Sequence, residues 1–167
     1  LMVYDSIPFV LMALLAFGGL FINPVIIKSD YNYVNADIAW LIVSSCLVFL
    51  MTPGLSFYYG GMVNHKNVIS TIFQSFIATG LVGVLWVVVG FSLAFGKSIY
   101  GVIGDPTQFF FFRNVLGGAP WPGAPTIPLL LFALFQMKFA VIAPAIVVGA
   151  VAEKVQFKAY LLFMALF

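Results

Sequence analysis

The sequence predicts an all-α fold, a polytopic bundle of transmembrane helices. Two observations carry that reading. Hydrophobic residues make up 63% of the 167 positions and charged residues only 7%, whereas a water-soluble domain carries roughly a quarter charged residues. With a mean hydropathy of +1.15, the chain cannot cover a water-facing surface. The apolar residues also fall into runs of the length that crosses a bilayer as a helix, about 20 residues. In lipid such runs are helical, because a helix satisfies its own backbone hydrogen bonds.

The first run, residues 6–27, contains no charge. Residues 1–30 read as a signal peptide or an extra transmembrane segment. No basic leader is visible before the run, but the polar "KSDYNYVNAD" after it suits a cleavage region. The second run is 38–59, with Pro53 and Gly54 inside it and Gly60 and Gly61 at its exit. The third, 68–95, is long enough to tilt. The fourth is 126–151, and a fifth begins near Phe157. The chain opens on Leu1 and ends at Phe167 within that fifth run. Both ends read as cut, and the chain as a fragment of a longer multi-pass protein of a plasma membrane or bacterial inner membrane.

The short spacers "GGMVNHKN" and "EKVQF" carry His65, Lys66 and Lys154, with Lys158 just beyond. Lysine and arginine in short loops mark the cytoplasmic side, so both spacers are expected there. Residues 97–125 then face outward. The run Phe109 to Phe112 is expected in the interface as a short amphipathic or re-entrant piece, and Trp121 in the interfacial aromatic belt. A net charge of +2 is too small to imply nucleic acid. The single cysteine, Cys46, is expected as a small buried apolar residue. No phosphate loop, Cys/His cluster or paired carboxylate stands out, so neither an enzyme, a metal site nor a cofactor is expected.

The candidate functional residues concentrate in "FQMKFAVIAPAIVVGAVAEKVQF". Phe135 and Phe139, four apart, share one helix face. They suit packing, or an aromatic gate whose rings attract a cation by about 0.5–2 kcal/mol. Gln136 suits a hydrogen bond to another helix. Lys138, mid-span, costs about 2.5–3.5 kcal/mol to insert. Pro144 removes one backbone hydrogen bond and suits a kink. Around it, Ala143, Ala145, Gly149, Ala150 and Ala152 permit close packing. Glu153 suits a solvated helix end, or a buried hydrogen bond to another helix end. Elsewhere, Tyr58 and Tyr59 bring hydroxyls near the inner face. Gly83, Gly90 and Ala94 share a face suited to helix contact, and Ser92 can bond its own backbone.

Three strings in this order carry a resemblance: "TPGLSFYYGGMVNHKN", "LWVVVGFSLAFG" and the segment that holds Phe135. Together they resemble the ammonium transporter family (Amt/Mep, with the Rh proteins as distant relatives), over about residues 37–167, as the N-terminal part of that domain. The resemblance implies eleven transmembrane helices, an outward N-terminus and a homotrimer with one pore per subunit. It implies transport of ammonium or ammonia through a hydrophobic pore, and a PII-type regulator as partner if the source is prokaryotic. By motif, Phe135 resembles the vestibule phenylalanine and Phe139 the outer member of a phenylalanine gate. Tyr59 resembles the tyrosine near the inner end of the pore, and Ser92 a serine on a polar route around the gate. Gln136, Pro144 and Glu153 fall at positions with structural roles. The family pattern has an uncharged residue where Lys138 stands, so Lys138 is expected to point away from the pore axis. The pore histidines, vestibule tryptophan and second gate phenylalanine match nothing here. A sensor, with a similar membrane part coupled to a signalling domain, is the alternative function.

Overall fold

The computed structural model describes residues 31–167, together with Leu14 and Phe17 of the preceding stretch. The reading of residues 1–30 as a signal peptide or extra span therefore lies outside the described residues. Helix α1, Asn35–Met62, has 28 residues and is about 42 Å long at 1.5 Å per residue. Asp37 sits in its first turn, where a negative charge favours the helix dipole. Pro53 lies inside it without ending it. Helix α2, Val68–Leu85, continues through a π-helical turn, Trp86–Gly90, into α3, Phe91–Phe95. Helix α4 is Leu129–Val151 and α5 is Phe157–Leu166.

Among the described residues three spans are long and apolar enough to cross a membrane: α1, the continuous Val68–Phe95, and α4. The fourth run starts three residues later than its sequence suggests. Pro128 caps α4 in extended geometry, and a proline disfavours the helical conformation in the residue before it.

The backbone hydrogen bond from Val34 N–H to Thr126 C=O, 2.9 Å, ties the start of α1 to the approach to α4. The two helices therefore run parallel, with α2 antiparallel to both. At the opposite end, Glu153 reaches the 63–67 connection. The two short basic connections thus share one end of the bundle, as their charge pattern suggests.

Packing occurs on two levels. Near the shared short connections, Ala78, Leu81, Val82, Val141, Ala145, Val148, Tyr160 and Met164 form one buried cluster. Near residues 97–125, Trp86, Phe91, Phe109, Val115, Ile127, Leu129, Phe132 and Ala133 form the other. Among the described residues there is one small sheet, strands β1 (Ser98–Ile99) and β2 (Ile103–Gly104), paired antiparallel with Ile99 opposite Ile103. Tyr100 and Gly101 both take positive φ in the turn between them, which suits the right-handed twist of a hairpin. A Cβ on Gly104 would strike the carbonyls of Ser92 and Leu93, so only glycine lets the hairpin sit on the end of α3.

The phenylalanine run departs from its expected place. Phe109 is buried in the upper cluster and Phe112 packs edge-on against Phe91 at 5.7 Å. Left-handed backbone at Phe111 and Phe112 breaks the run into a turn, so it does not lie flat in the interface. Trp121 stacks on Phe132 at 5.8 Å and meets Phe95 edge-on at 5.2 Å, closing the upper cluster instead of standing in a lipid-facing belt. Cys46 is exposed, because α1 is a peripheral helix with few buried positions.

Lower down, the Tyr59 ring of α1 lies against Gly149 of α4, within clashing distance of any Cβ there. Its hydroxyl donates to the Ile146 carbonyl at 2.9 Å. Gly149→Ala forces the ring away and breaks that bond, at a cost of about 1–3 kcal/mol; Tyr59→Phe alone costs about 1 kcal/mol. Thermal unfolding of the detergent-solubilised protein should show the double variant less destabilised than the sum of the two.

Candidate functional site

Phe135 and Phe139 project from α4 as an edge-to-face pair, with centroids 5.1 Å apart and planes at 73°. Phe135 is half-buried and Phe139 is 42% exposed. On a 100° helical projection, Phe135, Phe139, Ile146 and Ala150 fall within about 60° of one another. Ile146 and Ala150 are exposed too. The described residues therefore leave one stripe of α4 uncovered, and the aromatic pair forms its upper part.

Lys138 lies about 60° from Phe135 on the side away from Phe139. Its ammonium sits 5.0 Å from the centroid of the Phe49 ring on α1. It lines a groove between α1 and α4 with Ile42, Ser45, Cys46, Leu50, Leu131 and Leu134. The cation is thus turned off the aromatic stripe. Gln136 is half-buried and bonds no other side chain among the described residues.

Pro144 is buried and lies within α4 without ending it. With Ala140 and Ala143 it borders an apolar cavity of about 430 Å³, whose far wall holds Trp86, Gly90 and Ala94. Gly83 is not part of that wall; its Cβ position is 4.0 Å from Met137 Sδ. The π-turn supplies the reason: its extra residue rotates Gly90 and Ala94 relative to Gly83. A Cβ added to Gly90 would lie 3.2 Å from the Trp86 ring, so the position admits no larger side chain easily.

Ser92 is fully buried and does not bond its own helix. Its hydroxyl donates to the Asp105 carbonyl at 2.7 Å and accepts from the Phe109 N–H at 2.9 Å. One hydroxyl thus fastens both ends of the 105–109 segment to α3. In the same segment Asp105 accepts from Thr107 Oγ1 and the Thr107 N–H. These bonds hold its carboxyl below the usual range, the side-chain bond contributing most.

At the other end, Glu153 adopts left-handed backbone, φ 63°. Its carboxylate accepts from Asn67 Nδ2 at 2.9 Å and from the Asn64 N–H at 2.8 Å. Of its two sequence readings, the hydrogen bond to another helix end is the one made, though at an exposed position. Both bonds lower its pKa, Asn67 more than Asn64.

Some positioning residues escaped the sequence reading. Thr52, Ser56 and Gly60 are the buried residues of α1. Their spacing of four makes a stripe of small residues, the usual mark of a helix–helix contact in membranes, and that signal was available. Trp86 Nε1–H donates to the Ala133 carbonyl at 3.0 Å, joining the π-turn to α4. Its partner is 47 positions away, so no local pattern announces it. Among the described residues, no group of three His, Cys, Asp or Glu side chains is placed to hold a metal.

Ser92→Ala strands a buried N–H and a carbonyl, with an expected loss of about 1–3 kcal/mol. Limited proteolysis from the 97–125 side should cut this variant faster than wild type. Glu153 predicts a pH effect of definite sign. Its folded pKa is depressed, so its stabilising contribution is complete above the unfolded pKa and is lost as pH falls through the folded one. Acidification should therefore lower the protection of amides in the 63–67 connection, measured relative to their intrinsic exchange rates, and Glu153→Gln should remove that extra acid sensitivity.

The sequence model of the Ammonium Transporter Family matches residues 39–167. An ammonium transporter of Mycobacterium tuberculosis (strain ATCC 25618 / H37Rv) is 42% identical over 145 residues, covering 79% of this chain and 30% of the relative. One from Aquifex aeolicus (strain VF5) is 35% identical over 162 residues, covering 93% of this chain and 37% of the relative. The fold matches the crystal structure of Saccharomyces cerevisiae Mep2 with a TM-score of 0.70 at 31% identity, over 81% of this chain and 30% of that one. Candida albicans Mep2 matches with a TM-score of 0.68 at 27% identity, over 81% of this chain and 29% of that one. The chain therefore spans about a third of the length of these relatives. On the family match and the shared helical fold, the chain belongs to the ammonium transporter family.

Proposed function

We propose that this chain is the N-terminal part of a transporter that moves ammonium or ammonia across the membrane through a hydrophobic pore. The supporting observation is the edge-to-face Phe135–Phe139 pair on the uncovered stripe of α4, in a chain whose family match spans it. Phe135 would receive the cation on its ring, and Phe139 would close the path below it. Ring faces attract a cation while displacing water. Carrying the bare ion into a dry pore costs many kcal/mol, and neutral ammonia costs far less. The physical expectation is that the proton separates from the nitrogen beyond the rings.

Tyr59 stands at the inner end, its ring braced by Gly149. Ser92, with its hydroxyl engaged on both sides, is better suited to fasten the outer segment than to relay a substrate. Gln136, Pro144 and Glu153 shape the helices around the path. The exposed apolar length of α1 suits both lipid and a neighbouring subunit, in keeping with a homotrimer. A PII-type regulator, in a prokaryotic source, would meet the end that carries the short basic connections.

Uptake of radiolabelled methylammonium by the full-length protein tests the reading. Phe135→Ala should weaken apparent affinity about 2- to 30-fold, the range of one cation–π contact. Lys138→Met should leave that affinity unchanged. No uptake from a folded trimer overturns the proposal.

A further inference from the structure

We propose that the Glu153 clasp is a latch with two positions: closed, as in this structure, and open, in which Asn67 turns back to cap α2 and the 63–67 connection leaves the end of α4. The inference rests on the local backbone geometry at both sides of the clasp and does not depend on what the protein transports. In the closed position one carboxylate oxygen, Glu153 Oε1, accepts from the Asn64 N–H at 2.8 Å and from Asn67 Nδ2 at 2.9 Å. Each side forgoes a better local arrangement to make that contact.

On the α4 side the cost falls on Glu153 itself. Ala152 has φ −52° and ψ 136°, Glu153 has φ 63°, and the Lys154 N–H donates to the Val151 carbonyl at 3.0 Å. That is the pattern of a type II turn, whose third position favours glycine because left-handed backbone crowds a Cβ. A glutamate there is held against its own preference. Such residues persist only where the surroundings over-determine them, and here the two asparagine donors do so.

On the other side the cost falls on Asn67. It occupies the N-cap position of α2, where an asparagine normally has extended backbone and accepts from the N–H two or three residues on. Instead φ −106° and ψ −3° place it in the helical region, and it makes no cap bond. Its side chain donates away from the helix, to Glu153. The connection is folded to allow this. The Asn67 N–H donates to the Asn64 carbonyl at 2.7 Å and the Lys66 N–H to Asn64 Oδ1 at 3.3 Å, which turns the Asn64 N–H and the Asn67 side chain toward one oxygen. Once Glu153 lets go, its turn can relax and Asn67 can take up the cap, so the open position has compensating bonds of its own. Two arrangements with different bonds make a bistable element. The latch stands five residues beyond Tyr59 and four beyond Gly149, so it decides whether the Tyr59 contact alone holds the inner end of α1 to α4.

Hydrogen exchange of the full-length protein in lipid nanodiscs, resolved to short overlapping peptides and scaled to intrinsic rates, tests this. Glu153→Gly suits the type II turn and removes the clasp. Asn67→Asp is a good cap and cannot donate to Glu153. Each change suits its local backbone, so both variants should fold. In each, the amides of residues 64–66 should exchange faster than in wild type, while those of Ile69 and Ser70 exchange about fivefold slower, the effect of one N-cap bond. Glu153→Gln, which keeps the acceptor oxygen, should retain the wild-type pattern. Adding Asn67→Ala to Glu153→Gly should abolish the gained protection. Faster exchange at Ile69 and Ser70 together with 64–66 in both variants makes the clasp a simple tie and overturns the latch. Unchanged exchange in both, or loss of the fold in both, overturns it as well. Methylammonium uptake is measured separately, so the latch and the transport reading fail independently.

Discussion

Inside a bilayer a polar group has no water to turn to, so each one must find its partner in the protein. Much of this structure follows from that demand. Ser45, Ser56 and Thr71 return their hydroxyls to carbonyls one turn back on their own helices. Where a hydroxyl or indole instead reaches across, it sets the spacing of two helices: Tyr59 to Ile146, and Trp86 to Ala133. Because lipid tails are as apolar as leucine, burying apolar surface does little to hold such helices together. These few cross-links and the close contacts at Gly60 and Gly149 carry a correspondingly large share of the specificity.

The outer end obeys the same demand by other means. There the chain leaves helical geometry, and its backbone groups lose their regular partners. The hairpin pairs two of them, Ser92 takes two more, and Phe91, Phe95, Phe132 and Trp121 close over the top. Edge-to-face and offset aromatic pairs contribute about 0.5–1.5 kcal/mol each, so this nest of rings is a substantial stabilising element. It stands directly above the level of Phe135.

The long elements were legible because each is encoded by a run of its own residues. A 28-residue span announces itself through composition, and Pro128 marks where α4 begins. The common end of the two short connections was legible through Lys66 and Lys154. Harder to read were features that depend on a distant partner. Ser92 looks like any membrane serine until Asp105 and Phe109 are brought over it. The π-turn is hidden because its five residues, "WVVVG", are equally good α-helix formers by pattern, and only the wedge of Trp86 against Gly90 displays it. The phenylalanine run misled for a related reason: four identical side chains carry no periodicity, so nothing local says that Phe109 turns inward while Phe110 does not. For the candidate site, Phe135 and Phe139 were legible as a pair because spacing fixes a shared face.

The clasp at Glu153 bears on how the protein is made. The 63–67 connection leaves the ribosome well before Glu153, which follows Asn67 by 86 positions. At about 5–20 residues per second, the first hairpin waits roughly 4–17 s before its fastener exists. The α1–α2 pair must therefore enter the membrane and hold its antiparallel arrangement on its own contacts, among them Gly60 against Val68 and Ile72, with the connecting loop unsecured. Completion of α4 then locks an arrangement that was already chosen, making the clasp a checkpoint on assembly and not its cause.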